Sequence, residues 1–154
     1  YFERMDEKGS YSFLGSFFSA RSGFMGNNAG NYLCNETLFR IQSDVIKELA
    51  GKESCIFVGR CADYILRNHP HTVSIFINAR LEDRIQRIAS ERKITEKEAK
   101  GLIEQTDRKR AAYYNYYSNK IWGHSFSYDL CVNSSILGIN ATSKFILQYL
   151  DLIS

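Results

Sequence analysis

Three short apolar runs, SCIFVGR (54–60), TVSIFIN (72–78) and YDLCVNSS (128–135), alternate with segments whose apolar residues recur at helical spacing. Each run is too short for a helix and ends in Gly, Arg, Asn or Ser, so it reads as a strand. A continuous apolar strand needs both faces covered, the habit of a parallel sheet flanked by helices. Residues 81–92 carry Leu81, Ile85 and Ile88 on one side. Thr95 and Glu98 form a capping box that opens a long helix running toward Tyr117. Asn35 is placed to cap an earlier helix bearing Leu38, Ile41, Val45, Ile46 and Leu49, closed by Gly51. Asn140 is placed to cap the last, with Phe145, Ile146, Tyr149 and Leu150 on one side. The expected class is α/β, a three-layer sandwich with a parallel sheet between helices. Three strands make a thin sheet for that class, so at least one more is expected.

The 154 residues suffice for one domain, and the 44% hydrophobic fraction suffices for a core. A net charge of +3 is too mild for a nucleic-acid binder, which carries a strongly basic stripe. No apolar run approaches the ~18 residues of a membrane span, and YFERMDEKGS is no signal peptide. The expectation is therefore a cytoplasmic protein without nucleic-acid or membrane partners. Four cysteines lack any CxxC spacing, so no metal site is expected. Cys55 and Cys131, inside strand-like runs, are expected to be buried free thiols. Residues 10–32 mix Gly, Ser and Asn with Phe17, Phe18, Phe24 and Met25, the composition of a mobile flap with an apolar inner face.

In an open parallel sheet, ligands bind beyond the carboxyl ends of the strands. Those positions hold Gly59-Arg60, Ala79-Arg80 and Asn133-Ser134-Ser135. A guanidinium forks onto phosphate oxygens, so Arg60 is a candidate anion ligand. Arg80 is a second candidate or simply the solvated start of a helix. Farther on, Arg108, Lys109 and Arg110 crowd one turn beside Asp107. They face a polyanion or form a solvated basic face. Tyr113, Tyr114, Tyr116 and Tyr117 follow, as a core stripe or a stacking platform. The core reading fits the mild charge better.

The blocks VGRCADYIL, SIFINARLEDRIQRI, DRKRAAYYNYY and YDLCVNSSILGI resemble, in this order, those of the cytidylate kinase-like family. The resemblance covers nearly the whole chain and is weakest over residues 10–32. It implies a P-loop nucleoside monophosphate kinase-like fold and ATP-dependent phosphorylation of a nucleoside monophosphate, CMP or dCMP first, with Mg2+. It further implies that Arg40 and Arg60 bind the acceptor phosphate, and that Arg108 and Arg110 in a lid-like segment (106–124) act on the transferring group. Gly59-Arg60 resembles the start of the GRD segment of cytidylate kinases. Cys61 stands at the Asp position, with Asp63 the nearby substitute for substrate binding. No Gly-x-x-x-x-Gly-Lys-Ser/Thr segment occurs in residues 1–154. The expectation is that the family's first strand, P-loop and following helix are missing ahead of Tyr1, and that these residues alone are inactive. The alternative on the same fold is a non-catalytic nucleotide-binding regulatory module.

Overall fold

The computed structural model describes residues 29–153, with side chains from residue 35. The flap expected over residues 10–32 lies outside the described residues, except that 29–32 open a helix. The chain divides into two compact units, Tyr1–Ile41 and Gln42–Ser154. The second holds the sheet and the helices around it. The elements are α1 (Ala29–Lys52), α2 (Ala62–Ile65), β1 (Ile75–Asn78), α3 (Leu81–Arg92), α4 (Glu96–Ser118), a 3-10 turn (Ser125–Ser127), β2 (Leu130–Asn133) and α5 (Ser134–Ile153).

β1 and β2 pair in parallel, with Ile75 opposite Leu130 and Asn78 opposite Asn133. The two are far apart in sequence, and a parallel neighbour requires a crossover, here supplied by α3 and α4. The fold is thus α/β with a small parallel sheet. Residues 54–58, expected as a strand buried on both faces, pair with no strand among the described residues. Ile56 is 95% exposed and Val58 85%. A strand exists only through a hydrogen-bonded neighbour, and neither described strand pairs with this run. Cys55 and Cys131 are accordingly exposed, against expectation, and the buried free thiol is Cys61.

Helix α3 matches the expected 81–92, and α4 opens on the expected box. Thr95 Oγ1 accepts from the Glu98 amide at 3.2 Å, while the Glu98 carboxylate accepts from the Thr95 amide at 2.9 Å. The Thr95 hydroxyl also donates to that carboxylate at 2.7 Å, and this bond first, with the amide bond after it, holds the Glu98 carboxyl below its ordinary range, so their contribution is present at neutral pH and lost in acid. Replacing Thr95 with alanine should cost about 1 kcal/mol, read as a lower urea midpoint with unchanged slope.

Two caps fall elsewhere than expected. α1 begins at Ala29 and runs through Asn35, because the preceding residues are already helical. In α5 the break comes at Gly138 (φ 74°), not at Asn140, since glycine takes positive φ without a Cβ clash. Thr142 Oγ1 then donates to the Gly138 carbonyl at 2.7 Å.

The core joins α4 to the sheet through aromatic rings. Phe76 on β1 meets Trp122 edge-on at 5.5 Å and Tyr128 at 4.9 Å, and Tyr128 stacks on Tyr114 at 6.1 Å. Gly123 (φ 75°) passes so close that a Cβ there would sit 3.1 Å from the Phe76 ring. Tyr114, Ala99 and Ile103 are buried along one side of α4. The core reading of the tyrosines therefore holds for Tyr114, whereas Tyr116 is exposed.

Candidate functional site

The carboxyl ends of the two strands are stitched together by side chains that follow them. Ser134 Oγ donates to the Asn78 carbonyl at 2.9 Å, and the Arg80 amide donates to Ser135 Oγ at 2.8 Å. Beyond them opens a cavity of ≈ 290 Å³, lined among others by Ala79, Arg84, Arg87, Ser135 and Gly138. Arg84 and Arg87 come from successive turns of α3 and line the cavity together with Asp83. Arg84 Nη2 also bonds Asp107 Oδ1 on α4 at 2.8 Å, with both side chains about a quarter exposed. Asp107 thereby fixes the register of α4 on α3. The side chain of Arg80, the earlier candidate, is exposed.

Arg60 is presented by an uncommon backbone. Gly59, Arg60 and Cys61 all have positive φ, at 69°, 55° and 56°. For residues with a Cβ such angles cost roughly 1–2 kcal/mol each, so surrounding structure must hold them. The Ala62 amide bonds the Gly59 carbonyl at 3.1 Å, and the Ile65 amide bonds that of Cys61 at 2.9 Å. Cys61, Ala62, Ile65 and Leu66 are buried beneath, leaving the Arg60 side chain exposed. Arg60 lies within hydrogen-bonding reach of the Tyr113 hydroxyl. That hydroxyl donates to Gln42 Oε1 at 3.2 Å. Burial raises the Tyr113 phenol to about 12, against the opposing pull of Arg60.

Cys61, at the position where the family resemblance places an aspartate, is 3% exposed. Burial, reinforced by the charge of Asp63, pushes its thiol from an ordinary 9.0 up to about 12. The neutral thiol therefore favours the folded state up to about pH 9, and that contribution is lost as pH rises toward 12. Alkylation at pH 8 should find the exposed Cys55 and Cys131 before the buried Cys61, which holds about a thousandfold less thiolate than an ordinary thiol. Mass spectrometry of the labelled peptides checks this, and the Cys61 rate should still be climbing above pH 10.

Asp63 is half-buried, lines a second cavity of ≈ 280 Å³, and is engaged at one oxygen. Its Oδ2 accepts from the Tyr114 hydroxyl at 2.7 Å. Burial, and then this bond, push the Tyr114 phenol well above its ordinary value, so it remains a donor throughout the neutral range. Arg108 and Arg110 are exposed on the second half of α4, and residues 106–118 of the expected lid-like segment are continuous helix. Arg110 precedes Tyr113 by three residues and Tyr114 by four, which puts all three on neighbouring positions of one helix surface. The structure thus ties Arg60 and Asp63 to α4 through Tyr113 and Tyr114. Arg40 is exposed on α1 in the unit Tyr1–Ile41 and is described there by itself.

The sequence singles out Arg60 and the basic turn but not Arg84, Arg87 or the tyrosine partners of Arg60 and Asp63. Arg84 and Arg87 carried one readable signal, their i, i+3 spacing just after a strand. Among the described residues, no group of three or more His, Cys, Asp or Glu side chains could hold a metal ion, and no helix is long and apolar enough to cross a membrane.

The sequence profile of the cytidylate kinase-like family matches residues 1–136. The chain belongs to the cytidylate kinase-like family. One similar solved structure is that of an uncharacterized protein from Eubacterium ventriosum, 30% identical with a TM-score of 0.71. The match covers 73% of this chain and 64% of that protein, so the chain spans less than two thirds of its relative's length. No curated protein matches the chain.

Proposed function

We propose that this chain is the acceptor-binding part of a nucleoside monophosphate kinase, with CMP or dCMP the first acceptor and ATP the donor. The observation that carries the reading is the left-handed Gly59-Arg60-Cys61 turn, which holds an exposed guanidinium beside the helix bearing Arg108 and Arg110. A turn held in so uncommon a conformation fits a functional demand on where Arg60 points. In the proposed reaction the acceptor phosphate lies across the Arg60 fork. Arg108 and Arg110 approach the transferring phosphoryl group and stabilise the charge spread over its oxygens in the transition state. Phosphoryl transfer asks for positioning and charge neutralisation rather than a covalent role for the protein, which suits a site made of arginines.

The triphosphate needs a cradle of backbone amides and a lysine. Residues 1–154 contain no such glycine-rich segment, so the proposal assigns that cradle, and the strand and helix of a three-layer P-loop fold, to sequence outside them. The described residues do not fit Mg2+ as a protein-held ion. Its ligands would be phosphate oxygens and water.

Calorimetric titration with CMP tests the acceptor site directly. Wild-type protein should bind CMP, and Arg60→Ala should weaken binding at least tenfold, as expected for a lost charge-assisted contact. Equal CMP affinity in the two proteins, each folded, would remove Arg60 from the site.

A further inference from the structure

We propose that Asp63 is a positioning residue: its bond to Tyr114 latches the Arg60 turn onto α4, so that Arg60 and Arg110 are set by one shared joint. This inference rests on the kinase reading above and adds a mechanism by which the acceptor arginine and the transfer arginine are held in register.

The joint has two halves. Asp63 and Tyr114 are 51 residues apart in sequence and meet at 2.7 Å. Tyr113, the preceding residue of α4, reaches Arg60 itself. Adjacent tyrosines therefore grip the same turn at both ends, at Arg60 and at Asp63. On the far side, Tyr114 stacks on Tyr128, which packs on Phe76 of β1, so the gripping helix is itself fixed to the sheet. A turn with two non-glycine residues at positive φ relaxes unless contacts around it hold it. The Asp63–Tyr114 bond is one such contact, and it comes two residues after the strained pair.

The test uses the full-length protein with Tyr114→Phe, Asp63→Ala and the double variant, titrated with CMP and separately with inorganic phosphate. The latch predicts that each single variant weakens both probes by the same factor, about tenfold for a lost bond to a charged group. The double variant should be no worse than either single one, because both remove the same joint. Asp63→Asn, which can still accept from the Tyr114 hydroxyl, should recover most of the affinity. Loss of CMP binding in Asp63→Ala with phosphate binding intact, and no effect of Tyr114→Phe, would make Asp63 a direct nucleoside ligand and overturn the latch. Amide hydrogen exchange separates this question from the kinase reading. Tyr114→Phe should speed exchange at Ala62, Tyr64 and Ile65, whose amides close the turn. Unchanged exchange there overturns the latch whatever the protein binds, whereas failure of wild-type protein to bind CMP overturns the kinase reading alone.

Discussion

Replacing Arg110 with alanine in the full-length protein is expected to lower kcat by about 10³-fold while changing KM for the acceptor little. The argument runs from charge. Arg110 is exposed on α4, one turn before the tyrosines that hold the Arg60 turn. An arginine that meets its partner only as charge develops acts on the transition state and leaves ground-state binding almost untouched. Lysine at this position should restore little, because a point charge lacks the planar fork that spans two phosphate oxygens. Steady-state kinetics across CMP concentrations checks the split. A rise in KM with kcat unchanged would make Arg110 an ordinary binding residue.

The second large effect is on stability. Tyr114→Ala should destabilise the fold by about 3–5 kcal/mol, as expected for deleting a buried aromatic side chain. Tyr114 is 5% exposed, stacks on Tyr128, and donates to Asp63. The truncation removes the ring packing and also the donor of a part-buried carboxylate, two separate costs of the kind that produce large mutational effects. Urea unfolding should show a markedly lower midpoint. Tyr116→Ala, one helical step over but exposed, should change stability by only a few tenths of a kcal/mol. A similar loss for both would mean that Tyr114 does not anchor α4.

The features legible in the sequence are those set by residues close together along the chain. The Thr95–Glu98 box and the apolar spacing of 81–92 depend on a few neighbouring residues, and both appear in the structure at the expected places. The run at 54–58 failed as a strand for the opposite reason. Its composition is suited to a strand, but a strand needs a neighbour, and β1 pairs only with β2 among the described residues. The break in α5 was read two residues late because Asn140 looked like a cap, while Gly138 makes the turn by backbone freedom alone.

The candidate site divides along the same line. Arg60 was legible because it follows an apolar run, and Arg108 and Arg110 because like charges crowd one turn. The partners that give these arginines their setting were not. Asp63 meets Tyr114 across 51 residues and Arg84 meets Asp107 across 23, and neither pairing leaves a local pattern. The family resemblance makes Asp63 the substitute for the aspartate absent at position 61, and its bond to Tyr114 is visible only in the folded chain.

The central claim is phosphoryl transfer to a nucleoside monophosphate. Coupled ATP-consumption assays on the full-length protein, with Mg2+ and a panel of nucleoside monophosphates, test it most directly. The account predicts turnover with CMP or dCMP, and a loss of that turnover in Arg110→Ala. No turnover with any monophosphate, from a protein shown to bind ATP, would contradict it and point to a non-catalytic nucleotide-binding module.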